Sequence, residues 1–193
     1  MPKQEPPEHK SLGQTAAEVP LDLLPVVELS DEQYSRAQQI AQQRNRSYQS
    51  IDGGRVCGQQ SSEDAHLTGA VGETAYAAQN DVCIDESVYD YGDAGYDFQE
   101  GNLQIDVKTT ATDMQRPSLV VPKDPEPSAD LYFLLHRFEE QSVRIFGFTT
   151  LATLTERDAV PRPGDDLNFI VTQDELWSPP SLNQRVVEEC LKG

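Results

Sequence analysis

The sequence is poor in lysine and cysteine and contains no long apolar run. Five of its 193 residues are lysine, and 15 basic residues in all stand against 33 acidic ones, which gives a formal net charge of −18. Three cysteines without a close Cys-x-x-Cys pair predict neither a disulfide framework nor a structural zinc site, and a reducing cytoplasm fits best. No stretch approaches the roughly 20 apolar residues of a membrane-spanning helix, and the N-terminus lacks the apolar segment of a signal peptide. We therefore expect a cytoplasmic protein without a membrane partner.

The excess of acid is spread along the chain rather than gathered in one tail. Three explanations are open: a halophilic protein, a DNA mimic, or an acidic protein from a mesophile. In molar salt the Debye length shrinks to about 3 Å, and dispersed acids keep a protein surface hydrated. The even spread and the shortage of lysine favour the halophilic explanation, a halophilic archaeon or its virus, in which case the compartment is the cytoplasm of that cell or of the host.

The length suits one domain with an N-terminal tail. Residues 1–27 are rich in Pro, Glu, Gln and Ala, which is typical of a flexible acidic tail, although residues 21–27 have the apolar character needed to dock onto the body. Residues 28–193 are expected to form a single domain.

The pattern of apolar residues predicts helices first and strands afterwards. A capping box of Ser30 and Gln33 predicts the start of a helix that runs to about residue 48. Residues 50–65 are predicted to form a loop, and a helix rich in Gly and Ala is predicted over 66–79. Strands are predicted at 87–91, 95–98, 103–110, 118–122, 129–137, 142–150 and 167–172, and a last helix after Pro180. This order indicates an α/β fold with a mixed central β-sheet flanked by helices.

The most informative stretch is NLQIDVKTT, residues 102–110. Its alternation predicts a strand, and Asp106 and Lys108 point to the same side because side chains at i and i+2 of a strand share a face. Gly101 and Asn102 suit a tight turn, so a hairpin would bring Asp97 close to Asp106.

Two neighbouring carboxylates repel each other, and burying them is unfavourable unless a positive charge compensates. A bound Mg²⁺ or Mn²⁺ provides that compensation, and Asp97, Asp106 and the backbone carbonyl of Val107 supply the oxygen ligands that such an ion takes. Lys108 beside the ion could hold a phosphate oxygen or orient an attacking water. The alternative is a surface ion pair of Asp106 and Lys108 on a solvated sheet face, worth about 0–1 kcal/mol.

The order of these groups resembles that of a known superfamily. Glu73 in the helical pattern G-x-x-G-E-x-A-x-A, then Asp97, then Asp106-Val107-Lys108, is similar to the PD-(D/E)xK, or restriction-endonuclease-like, nucleases over about residues 66–150. The resemblance implies a restriction-endonuclease-like core with Asp97 and Asp106 as metal ligands, Lys108 as the catalytic lysine and Glu73 in contact with the metal or its water. Tyr96 replaces the proline of that motif, and the Gln and Tyr that follow the lysine in the RecB-like branch are missing, so no exonuclease of that branch is expected.

The leading hypothesis is a Mg²⁺- or Mn²⁺-dependent nuclease that hydrolyses DNA phosphodiester bonds, as a homodimer if it makes double-strand breaks. Candidate substrate contacts are Arg44, Arg46, Arg55 and His66, although solvated helix ends explain the arginines equally well and a packing role explains the histidine. Two other functions fit the sequence: a catalytically inactive module of the same fold that binds nucleic acid or protein, and an acidic DNA mimic.

Overall fold

The computed structural model describes residues 14–49, 62–84, 95–161 and 166–179. The strand predicted at 87–91, the helix predicted after Pro180 and the side chain of Arg55 lie outside these ranges. The same is true of residues 1–13.

The described ranges contain three α-helices and two short 3₁₀ turns. They are α1 (Asp31–Gln49), α2 (Ser62–Asn80) and α3 (Leu151–Thr155), with short 3₁₀ turns at Leu21–Leu23 and Gln173–Glu175. The predicted capping box before α1 is confirmed, since the Ser30 N–H donates to Gln33 Oε1 at 2.9 Å and the Gln33 N–H donates to Ser30 Oγ at 3.2 Å. The prediction of a loop over 50–65 is wrong for its last residues, because α2 begins at Ser62, with Glu63 and Asp64 in a first turn that favours negative charge.

Five strands form a mixed sheet in the order β1-β6-β5-β3-β2. They are β1 (Val26–Glu28), β2 (Phe98–Glu100), β3 (Leu103–Thr110), β5 (Leu131–Arg137) and β6 (Ser142–Thr150). The β3 and β5 strands run parallel, and the other neighbours are antiparallel. The predicted α/β architecture with a mixed central sheet and helices against it is therefore confirmed.

A second, three-stranded antiparallel sheet has the order β4-β8-β7. It contains β4 (Leu119–Pro122), β7 (Val160–Pro161) and β8 (Leu167–Val171). The large sheet separates two cores, since alternate residues of each strand face opposite sides. Val107 and Phe133 pack with α1 and α2, whereas Tyr132 and Leu134 pack with the second sheet.

Residues 14–27 pack against the body of the protein, although the sequence is typical of a tail there. Ala16, Val19 and Leu24 are buried, and the Ala16 N–H donates to the Leu176 carbonyl at 2.8 Å. The Arg116 guanidinium donates to the carbonyls of Ala16 and Val19 at 3.0 and 2.8 Å, so backbone polar groups of this segment are satisfied by the body.

Within the described ranges, no helix combines the length and the apolar character that crossing a membrane requires.

Candidate functional site: an acidic cluster at the β2–β3 hairpin

The predicted hairpin forms, with its first strand slightly later in the chain than expected. Phe98 pairs with Ile105 and Glu100 with Leu103, joined by the two-residue turn Gly101-Asn102. Gly101 has φ +62°, a left-handed conformation that glycine adopts without strain. Extending this register by one residue sets Asp97 opposite Asp106.

Asp97 lies at the edge of the sheet, directly before the first residue of β2. Its N–H donates to the Ile105 carbonyl at 2.8 Å, and its Oδ2 accepts the Val107 N–H at 2.7 Å. The carboxylate thus replaces a strand partner for β3, which fixes its position beside Asp106.

Asp106 and Lys108 form an ion pair that is only partly exposed. The Lys108 Nζ lies 2.7 Å from Asp106 Oδ1, and the relative exposures of the two side chains are 36% and 11%. Their register partners on β5, Tyr132 and Leu134, belong to the core beneath the second sheet. The Asp106 carboxylate therefore faces packed protein, which differs from the solvated sheet face of the alternative interpretation.

Glu73 reaches this region because α2 packs closely on β3. A Cβ atom at the preceding Gly72 would overlap Thr109 Oγ1 and lie 2.7 Å from Thr109 Cβ, so only glycine permits this approach. Glu73 follows this contact directly and is 6% exposed.

The partner of Glu73 is Arg44 on α1. Arg44 Nη1 donates to Glu73 Oε1 at 2.6 Å, and Nη2 donates to Oε2 at 2.7 Å, a bidentate arrangement in which both oxygens accept charge-assisted hydrogen bonds. Sequence reasoning assigned Arg44 to phosphate and Glu73 to a metal, and it missed their pairing. The two residues are 29 positions apart on different helices, so no local pattern signals the contact.

The Asp97 carboxyl lies within the electrostatic influence of both other acids. Burial raises the pKa of the Asp97 carboxyl well above its usual value, and the negative charges of Glu73 and Asp106 raise it further. The Lys108 charge and the Val107 N–H act in the opposite direction. Negative charge at Asp97 is therefore unfavourable in this arrangement, and any added positive charge would stabilise it.

The other candidate substrate contacts differ in how exposed they are. Arg46 is exposed near the end of α1. His66 is half-buried on α2, and burial together with the positive charge of Arg44 lowers the pKa of its imidazole. Arg44 and His66 thus belong to the surroundings of Glu73, while Arg46 faces solvent.

Tyr76 connects α2 to the hairpin one turn beyond Glu73. Its hydroxyl donates to Glu100 Oε1 at 2.7 Å, and its ring packs against Phe98 and Phe133 at centroid distances of 4.9 and 5.0 Å. Burial and the Glu100 carboxylate raise the pKa of the Tyr76 hydroxyl, which keeps it protonated as a donor. This contact holds the strand that leads from Asp97 against the helix that carries Glu73.

The donor chemistry of the cluster fits a hard divalent cation, since Glu73, Asp97 and Asp106 offer only carboxylate oxygens in a partly buried setting. In the described part of the chain, no three His, Cys, Asp or Glu side chains are grouped so that they could hold a metal ion as they stand. Arg44 and Lys108 instead neutralise two of the carboxylates. The carboxylate oxygens therefore suit a divalent ion in chemistry, and an ion would bind them only after local rearrangement of these side chains.

Comparison of the chain with protein-family models, curated proteins and solved structures found no match. A functional assignment therefore rests on the geometry of the site.

Proposed function

We propose that this protein is a metal-dependent nuclease with a restriction-endonuclease-like core that hydrolyses DNA phosphodiester bonds. The observation that carries the proposal is the position of Asp97 opposite Asp106 across a tight hairpin, with Glu73 close enough to raise the Asp97 pKa. The lysine two residues after Asp106 and the packing of α2 on β3 support the same assignment. Acids gathered at this density on a well-packed scaffold are typical of functional sites.

Asp97, Asp106 and the Val107 carbonyl would hold a Mg²⁺ or Mn²⁺ ion, and Glu73 would contact the ion or its water. When bound, such an ion supplies Lewis acidity, which activates water and offsets the charge that develops on the leaving oxygen. Oxygen ligands of this kind are those that both ions prefer.

Lys108 would position the attacking water or the phosphate group. Its ammonium group is already held at 2.7 Å from Asp106 Oδ1, and the side chain is 36% exposed, so it can donate hydrogen bonds to groups arriving from solvent. We assign it to the attacking water or to a non-bridging phosphate oxygen. The water oxygen would form a bond to phosphorus and lose a proton to solvent, while the bond from phosphorus to the leaving sugar oxygen breaks and that oxygen takes up a proton from solvent.

The net charge of −18 shapes how DNA would bind. Protein–DNA affinity normally depends on many phosphate contacts and falls as salt rises. With few basic residues, this chain would depend on ion-bridged phosphate contacts, on exposed Arg46 and on shape. We expect the protein to fold and act in molar KCl, and to cut both strands only as a homodimer.

A cleavage assay in molar KCl tests the proposal. Supercoiled plasmid and linear single-stranded DNA are incubated with Mg²⁺, Mn²⁺ or EDTA, using the wild type, Asp106→Ala and the control Asp113→Asn. Asp113 is an exposed acid shortly after β3, so its substitution changes the charge without changing the cluster. We expect metal-dependent cutting by the wild type and the control, and none by Asp106→Ala. Full activity of a folded Asp106→Ala protein would refute the assignment.

One observation favours a second candidate, a catalytically inactive module of this fold that binds nucleic acid or protein. Arg44 holds both oxygens of Glu73, and Lys108 holds one of Asp106, so the protein neutralises these acids with its own cations. A folded wild type that binds DNA but cuts neither substrate with either metal would support this second function.

A further inference from the structure

We infer that Arg44 competes with the divalent ion for Glu73, and that its release links ion binding to phosphate binding. The inference rests on the proposed function, because it concerns the regulation of the same site. It assigns Arg44 a role that neither a simple phosphate contact nor a structural ion pair would give it.

The geometry of the pair makes it a strong competitor. The two hydrogen bonds of 2.6 and 2.7 Å leave neither Glu73 oxygen without a donor. Glu73 is 6% exposed, so water does not readily replace the guanidinium as its partner. A carboxylate buried in this way requires a positive neighbour, and either Arg44 or a divalent ion can serve.

Arg44 and the ion exclude each other at Glu73. Two positive groups that share the same carboxylate oxygens in a poorly hydrated site repel each other strongly. Coordination by Glu73 therefore requires the guanidinium to withdraw. Arg44 is able to withdraw, because its side chain is 27% exposed and lies on α1 rather than on the hairpin that carries the other acids.

The displaced guanidinium could bind a phosphate group. Arginine binds phosphate with the same bidentate geometry that it uses for carboxylate. An ion that occupies Glu73 therefore frees Arg44 for a phosphate group, and a phosphate group that holds Arg44 frees Glu73 for the ion. By thermodynamic linkage each ligand then raises the affinity for the other by the same factor.

The test measures Mn²⁺ affinity directly, from the electron paramagnetic resonance signal of free Mn²⁺, without any cleavage. Variants are Arg44→Gln, Asp106→Asn and the control Arg36→Gln, which removes the same charge from an exposed position two turns earlier on α1. We expect Arg44→Gln to bind Mn²⁺ about tenfold more tightly than wild type, a usual size for coupling between sites. Arg36→Gln should match the wild type, and Asp106→Asn should lose binding.

A double-mutant cycle separates competition from a general change of charge. If Arg44 acts by competing for Glu73, Arg44→Gln has no further effect in a protein that already carries Glu73→Gln. If the affinity rises equally in both backgrounds, the positive charge alone explains the effect and the inference is overturned.

The phosphate arm uses a single-stranded oligodeoxynucleotide. We expect it to tighten Mn²⁺ binding to the wild type several-fold and to have little effect on Arg44→Gln. Equal tightening in both proteins would overturn the link between Arg44 and phosphate.

Arg44→Gln leaves Glu73 buried without its counter-charge, so folding is checked by circular dichroism. If that variant does not fold, Arg44→Lys decides the question, because it keeps the charge and loses the two-point contact; Mn²⁺ affinity above wild type supports competition and wild-type affinity overturns it. The experiment distinguishes failure of the inference from failure of the proposed function. If Mn²⁺ affinity is unchanged in Arg44→Gln and lost in Asp106→Asn, only the inference is refuted. If no Mn²⁺ binding depends on Asp106, both the inference and the proposed function are refuted.

Discussion

Asp97 Oδ2 accepts the backbone N–H of Val107 at 2.7 Å, and thereby takes the place that a neighbouring strand would fill. A side chain in this position is held by the strand ladder itself rather than by a flexible rotamer. The contact fixes the Asp97 carboxyl at the edge of β3, where burial and the charges of Glu73 and Asp106 raise its pKa. The carboxyl is thus fixed where its negative charge is unfavourable.

Replacing Asp97 with Asn should stabilise the protein when divalent ions are removed by EDTA. The amide oxygen can still accept the Val107 N–H, while the cost of burying a charge and the repulsion from Glu73 and Asp106 both disappear. We expect the free energy of unfolding at pH 7 to rise by about 1 kcal/mol, a usual gain when a functional constraint is relieved. Urea denaturation measures it.

Asp130→Asn is the matched control for this prediction. Asp130 Oδ2 also accepts a backbone N–H of β3, from Gln104 at 2.8 Å. Loss of the charge at Asp130 weakens one charge-assisted hydrogen bond, and we expect the free energy of unfolding to fall by about 1 kcal/mol. Destabilisation by Asp97→Asn of the same size as in the control would show that burial of the charge and its repulsion by Glu73 and Asp106 do not outweigh the hydrogen bond to Val107.

Two glycines of α2 should respond in opposite ways to replacement by alanine. At Gly69 the nearest atom to an added Cβ is Glu73 Oε1 at 4.0 Å, so the methyl group fits. Because alanine has a higher helix propensity than glycine, we expect the free energy of unfolding to rise by up to about 1 kcal/mol. At Gly72 the Cβ would lie 2.7 Å from Thr109 Cβ, which forces α2 away from β3 at a cost of about 2 kcal/mol. Thermal unfolding of both variants tests the close packing of α2 on β3.

The same pair of variants reports on the site, because Gly72 precedes Glu73. We expect Gly72→Ala to weaken Mn²⁺ binding and Gly69→Ala to leave it near the wild-type value. Equal stability of the two variants would contradict the account of how α2 positions Glu73.

Local signals in the sequence were sufficient for much of the fold. The cap at Ser30, the alternation in β3, the strand-forming residues of β5 and β6 and the turn at Gly101 involve neighbours in the chain, and these predictions are confirmed. The hairpin that brings Asp97 opposite Asp106 follows from the same local signals.

Contacts between residues far apart in the chain could not be predicted from the sequence. The pairing of Arg44 with Glu73 depends on how two helices pack, and the burial of Ala16 depends on Leu176 at the other end of the described chain. The sequence also did not show that β4 leaves the central sheet to pair with β8, because strand patterns do not specify partners.

Glu175 gives a prediction for acid pH. Its hydrogen bond from Arg157, at 2.6 Å, lowers the pKa of the Glu175 carboxyl to about 2, and hydrogen bonds from Thr172 act in the same direction. An unfolded glutamate has a pKa of about 4.3. The pair therefore contributes its full stability above about pH 4.3, and that contribution is lost as the pH falls towards about 2.

We expect Glu175→Gln to be less stable than wild type at pH 6 by less than about 1 kcal/mol, because the Glu175 side chain is 34% exposed and solvent screens the pair. The difference should shrink as the pH is lowered from 4.5 to 3. Urea denaturation across this range measures it, with Glu156→Gln as the control for loss of an exposed acid beside Arg157. A difference that is independent of pH would contradict the account of this ion pair.

Anomalous diffraction from crystals grown with Mn²⁺ tests the central claim, that the acids of the β2–β3 hairpin hold a divalent ion. The account predicts an anomalous peak in contact with the carboxylates of Asp97 and Asp106, together with withdrawal of Arg44 from Glu73. Peaks only at other acids of the surface, with the Arg44–Glu73 pair intact, would contradict it.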